Sequence, residues 1–141
     1  MNEQAPMRHE KSCGAVVYRR EGGQLLVLVE HMALGHCSIP KGHVEPGETE
    51  EETARREIRE ETALEVRLDT RFRRTVTYSP APGVSKDVVF FVAEALGTAV
   101  REQESEVSRA EFLPADQAMA AMTYDSDRAV IAAARDYLRE I

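Results

Sequence analysis

A chain of 141 residues is the size of one domain and too short for two full ones, and with 43% hydrophobic residues it can bury a core, which excludes a disordered chain. Its net charge of −7, from 25 acidic and 18 basic residues, argues against a broad electrostatic grip on DNA or RNA. A phosphate substrate stays open, because a cation held by carboxylates inverts the local sign.

Residues 1–11 are polar, carry no apolar signal segment, and read as a flexible arm ahead of a single domain over 12–141. No apolar run approaches the ~20 residues of a membrane-spanning helix, so no membrane association is expected. Ser12 to Arg19 and Gln24 to Glu30 are rich in β-formers and flank Glu21-Gly22-Gly23, which predicts an antiparallel strand pair. Gly35 to Gly47, with Pro40, Gly42 and Pro46, predicts a loop or a short irregular strand. Thr49 followed by Glu52 forms a capping box that opens a helix reaching Thr62 or Ala63, with Glu50 and Glu51 at its positive end. Leu64 to Tyr78 reads as one or two strands, Ser79 to Gly83 as a loop, and Asp87 to Leu96 as a strand buried on both faces. A polar segment and a short strand at Ala110 to Leu113 follow; Pro114 opens a short helix, and Asp125 or Ser126 caps a last one reaching Leu138. Strands on both sides of one helix, then two closing helices, predict an α/β fold with a mixed sheet between helices.

The first helix is more acidic than stability alone requires. A helix advances about 100° per residue, so Glu57, Glu60 and Glu61 share an arc over one turn, where like charges repel. Carboxylates grouped without His or Cys are hard oxygen ligands that suit magnesium, manganese or calcium better than zinc. The plain alternative is a solvated acidic face, and for Glu50, Glu51 and Glu52 helix-start electrostatics suffice. The cysteines, Cys13 and Cys37, lack metal-type spacing and read as reduced thiols of a cytosolic protein.

The order Gly42-x5-Glu48-x7-Arg56-Glu57-Ile58-x-Glu60-Glu61-x-Ala63-Leu64 resembles the Nudix box, G-x5-E-x7-R-E-U-x-E-E-x-G-U with U aliphatic. Ala63 stands where the family has Gly, which implies a different exit from the helix, since Ala pays a steric cost in the left-handed backbone. The resemblance implies a Nudix-type α/β/α sandwich and metal-dependent attack of water on a substituted diphosphate. It implies that Glu57, Glu60, Glu61 and the Gly42 carbonyl hold Mg2+, or Mn2+, with Arg56 orienting a glutamate and Glu48 supporting the helix start. A box glutamate, or Glu106 on a distant loop, would take the proton from water; Glu106 would also be a metal ligand.

Pro40-Lys41-Gly42-His43-Val44-Glu45-Pro46-Gly47-Glu48 is similar to the asymmetrical diadenosine tetraphosphate hydrolases of that family, which yield ATP and AMP. Lys41 and His43 would then place donors near a polyphosphate. Lys86 would bind phosphate, and Tyr78 and Tyr124 would stack on an adenine, a contribution of about 1–3 kcal/mol per base. A well-formed Nudix entry loop without that substrate preference, a surface lysine and half-buried tyrosines are the plain alternatives. Cys37 replaces the Trp that this subfamily often carries four residues before the Lys. Competing readings are a MutT-like nucleoside triphosphate pyrophosphohydrolase, a phosphohydrolase of RNA ends or inositol pyrophosphates, and a nucleotide-holding module without activity. The expected partner is a small nucleotide, with the chain a monomer or homodimer.

Overall fold

The computed structural model describes residues 8–97 and 107–141. A seven-stranded mixed sheet forms the centre. Its strands are β1 (Arg8–Glu21), β2 (Gln24–Met32), β3 (Cys37–Ser38), β4 (Lys41–His43), β5 (Val66–Tyr78), β6 (Val84–Ala95) and β7 (Val107–Pro114). The helices are α1 (Glu50–Thr62), α2 (Ala115–Ala121) and α3 (Asp125–Arg139). The main path runs β3-β2-β1-β6-β5, with β4 on β1 and β7 on β2. Among the described residues, only the β1–β6 pair is parallel; the other pairings are antiparallel.

Period-two alternation sorts the apolar strands onto two cores. Val16, Tyr18, Val27, Val29, Val88, Phe90 and Val92 face Ala118, Ile131, Ala134 and Leu138 of α2 and α3. Cys13, Ala15, Val17, Leu28, Val89, Phe91 and Ala93 face Ala54 and Ile58 of α1. The expected α/β/α sandwich is therefore present, and the continuous apolar run of β6 reflects burial on both faces. Among the described residues, no helix is long and apolar enough to cross a membrane.

Several boundaries differ from expectation for tertiary reasons. β1 begins at Arg8, inside the predicted arm, because Arg8 to Lys11 pair in parallel with Val84 to Asp87. The Gly/Pro-rich stretch holds β3 and β4, which depend on β2 and β1 for partners. Leu64 to Tyr78 yields one strand, with an irregularity between Asp69 and Arg74 against β6. Tyr124, which makes no side-chain cap bond, precedes α3 in place of Asp125 or Ser126.

α1 starts as predicted. The Thr49 hydroxyl accepts the Glu52 N–H (3.1 Å), and the Glu52 carboxylate accepts the Thr49 N–H (2.8 Å). Its end corrects the sequence expectation: Ala63 adopts the left-handed conformation that Gly would take, at φ 64° and ψ 11°, and its N–H bonds to the Arg59 carbonyl. The family's exit geometry is thus kept, and Ala carries the strain. Ala63→Gly should stabilise the fold by about 0.5–1 kcal/mol, because relief of the left-handed cost exceeds the added freedom of the unfolded chain. Denaturant unfolding of the two proteins measures this, and a loss of stability would show that the strain is relieved elsewhere.

Candidate functional site

Arg56 organises the acidic face of α1. Its guanidinium grips Glu48 through two bonds, from Nε at 2.6 Å and Nη2 at 3.0 Å. Nη1 donates to both Glu57 and Glu60 at 2.8 Å, and Nη2 also donates to the His43 carbonyl at 2.9 Å. Thr53 Oγ1 donates to Glu48 at 2.7 Å, and the Glu45 N–H adds a third kind of donor at 3.0 Å. Arg56 and these donors hold the Glu48 carboxyl far down, at about 2, while the same carboxylates raise Arg56 further. Such charge-assisted, forked contacts fix geometry as well as charge. One residue thereby ties the Lys41–His43 strand to the helix that carries the acids.

Gly42 of β4 lies against Glu57: a Cβ built at Gly42 would overlap the Glu57 carboxyl group. Only glycine lets the backbone approach the acid this closely. On the next turn, Glu61 is 8% exposed and meets Glu30 of β2, which is 1% exposed. Burial pushes both carboxyls up, and the charge of Glu30 pushes Glu61 further.

A cleft of about 360 Å³ opens over this pair, lined by Ser12, Glu30, Gly42, His43, Glu57 and Glu61 and by Lys41 and Lys86. Among the described residues, Ser12 Oγ, Glu30 Oε2 and Glu61 Oε1 are buried and find no hydrogen-bond partner. Orphaned buried oxygens are costly unless something in the cleft pairs with them. Carboxylates plus a backbone carbonyl form the donor set of a hard divalent cation. Among the described residues, no group of three His, Cys, Asp or Glu side chains is already arranged to hold an ion. Glu57 and Glu60 are both bonded to Arg56, and Glu57 also lines the cleft.

A second hollow, about 420 Å³, continues from the first through His36 and Lys41, which line both. Tyr78, Val88, Phe90, Tyr124 and Asp127 complete its walls. Tyr78 and Tyr124 are 44% and 56% exposed, large for aromatic rings with nothing else to cover them. The Tyr124 ring lies 6.2 Å from that of His36, tilted by 55°. Burial and the neighbouring charge of Lys41 lower Lys86, so two ammonium groups crowd one place, the arrangement an anion relieves.

The structure thus brings Lys41, Gly42, His43, Glu57, Glu61 and Lys86 to one cleft and Tyr78 and Tyr124 to its extension. Glu48, Arg56 and Glu60 form the lattice beside it, and Glu106 lies outside the described residues. Cys37 does not line the cleft; its neighbour His36 does. Sequence reasoning missed Glu30 and Asp127. Glu30 ends an apolar strand, where an acid reads as the exposed end of a strand. Asp127 reads as a helix-start charge, yet it is 7% exposed and its carboxyl is pushed up by burial. A carboxylate set into an apolar run was the available signal for Glu30.

Comparison with known proteins agrees with this architecture. A family model described as the NUDIX domain matches residues 8–134. A bis(5′-nucleosyl)-tetraphosphatase (asymmetrical) of Mus musculus is 37% identical over 95 residues, covering 60% of this chain and 64% of that protein. An 8-oxo-(d)GTP phosphatase of Mycolicibacterium smegmatis is 40% identical over 131 residues, covering 86% of this chain and 40% of that protein. The chain therefore spans less than two thirds of either relative. The crystal structure of a C. elegans Ap4A hydrolase binary complex superposes with a TM-score of 0.85 at 25% identity, covering 94% of this chain and 99% of that one. With the box on α1 and the matched model spanning both sides of it, this chain belongs to the NUDIX domain family.

Proposed function

We propose that the chain is a cytosolic, divalent-metal-dependent hydrolase of a phosphoanhydride bond in a nucleoside polyphosphate, with diadenosine tetraphosphate, split to ATP and AMP, as its leading substrate. The observation that carries this reading is the grouping of acids and two lysines in one hollow, joined through Lys41 to a second hollow lined by two tyrosines. A nucleoside polyphosphate presents complementary groups. The names of the mouse and C. elegans relatives support the choice of substrate.

Nudix hydrolases generally use divalent cations, and the orphaned oxygens of the cleft fit one. In this reading the Gly42 carbonyl, Glu57 and Glu61 would hold Mg2+ or Mn2+, with Glu60 beside them and Glu30 supporting Glu61. The cation, when bound, neutralises phosphate oxygens and acidifies water. Arg56 and Glu48 keep Glu57 aimed at the cleft. A box glutamate accepts the proton of the attacking water. Lys41, Lys86 and His43 bind the phosphate chain, and Tyr78 and Tyr124 bracket the base. Their Ala variants should raise KM about tenfold or more each and leave kcat within about twofold, as expected for loss of base stacking. Steady-state kinetics measures the split, and an unchanged KM would return both rings to a structural role.

A second reading, nucleoside triphosphate pyrophosphohydrolysis, is favoured by Asp127, whose carboxylate oxygens would accept from the N1–H and N2–H groups of a guanine-type base. The 8-oxo-(d)GTP phosphatase relative supports it. A substrate panel resolved by ion-exchange chromatography separates the two. ATP plus AMP from diadenosine tetraphosphate at the highest kcat/KM supports the first reading. Preferred release of pyrophosphate from a purine nucleoside triphosphate discards it for the second.

A further inference from the structure

On the far side of β2 from the acids, cross-strand register assembles a second chemical group. His31 pairs with Cys37 of β3 on one side and with Arg109 of β7 on the other. Paired residues project to the same face, and Glu111, two residues along β7, shares it. Cys37 Sγ lies 3.3 Å from His31 Nδ1, and His31 Nε2 lies 2.6 Å from Glu111 Oε2. Arg109 Nη2 donates to the same Glu111 oxygen at 2.7 Å and sits 3.3 Å from His31 Nε2.

These distances decide the tautomer. A carboxylate only accepts, so the 2.6 Å contact requires a proton on His31 Nε2. Arg109 only donates and could pair with a bare Nε2, but its contact is longer and it already has Glu111. In the neutral ring Nδ1 is then the free acceptor, and it faces the Cys37 thiol. Nucleophile, base and orienting acid stand in sequence, the arrangement that activates a thiol. Cys37 is partly exposed, whereas Cys13 is fully buried and pushed up to about 11 by that burial.

We propose that Cys37 is an activated thiol that exchanges with small disulfides, with His31 as its base and Glu111 orienting the ring. Cys37 passes its proton to His31 Nδ1, and the thiolate attacks one sulfur of R–S–S–R. A Cys37–S–S–R bond forms as the old disulfide breaks, and the leaving thiolate takes the proton from His31. One disulfide replaces another, so no further oxidant is needed.

The probe is 5,5′-dithiobis(2-nitrobenzoate), itself a small disulfide, at neutral pH. One thiol per native chain should react, located at Cys37 by peptide mass. Its rate should exceed that of the same cysteine in the unfolded chain by about tenfold, after correction with a free small thiol in the same denaturant. His31→Gln and Glu111→Gln should each bring the native rate down toward the unfolded value. A native Cys37 no faster than the unfolded one, or variants that react like the parent, would overturn the proposal. The native-to-unfolded comparison needs no variant, so misfolding of either substitution leaves the test intact.

Discussion

Glu57→Gln and Glu61→Gln are each expected to lower turnover by about three orders of magnitude, equivalent to roughly 4 kcal/mol of lost transition-state stabilisation. The amide keeps the shape of the side chain and removes its charge, so the loss would report the ability to hold a cation. Glu61 makes the separation from folding sharp. It is buried against Glu30, and both carboxyls resist ionisation there. Burial against Glu30 already favours the protonated form of Glu61 there, so the neutral amide adds no buried charge and can donate to Glu30. The thermal midpoint of Glu61→Gln, measured in chelator, should therefore equal or exceed that of the parent. Near-parental turnover in both variants would take α1 out of the mechanism. A large drop in thermal midpoint would instead assign Glu61 a structural role.

Arg56→Lys is the second large effect, about a hundredfold in turnover with about 1–2 kcal/mol of stability. Lysine keeps the positive charge and loses the fork. The guanidinium reaches Glu48 by two bonds, Glu57 and Glu60 by one nitrogen, and the His43 carbonyl by another. A single ammonium cannot span that set, so β4 should loosen from α1 and Glu57 should lose its position over Gly42. An ordinary surface ion pair is worth less than ~1 kcal/mol and would tolerate the exchange. Full activity in Arg56→Lys would show that charge alone suffices. Because the Glu57 contact is only one of several, Glu48→Gln should reproduce part of the same loss through the helix start.

What the sequence made legible were features determined locally. The Thr49–Glu52 capping box, the spacing from Gly42 to Glu61, the first hairpin and the doubly buried β6 depend on neighbours a few residues away. Features made by distant chain were not legible. Glu30 becomes a buried acid because β3 and β7 flank its strand and α1 brings Glu61 against it. β3 and β4 are too short to be recognised without the strands that pair with them. Asp127, next to the expected caps Asp125 and Ser126, drew no functional reading, and the fold places it in the second hollow with His36 and Lys41. Ala63 shows the opposite case: the local cost argued for a changed turn, and the chain keeps the left-handed exit nonetheless. The exchange group at His31 was illegible for the same reason as Glu30, since its members come from three strands.

The central claim, metal-dependent cleavage of a phosphoanhydride at the Glu57–Glu61 end of the cleft, is tested most directly by turnover of diadenosine tetraphosphate under metal control. The protein is assayed as purified with magnesium, after chelation, and after magnesium is restored in excess. The account predicts production of ATP and AMP with magnesium, its disappearance on chelation and its return on resupply. Turnover that survives chelation would contradict the metal-dependent site. No cleavage of this or any nucleoside triphosphate with magnesium would contradict the hydrolase reading itself.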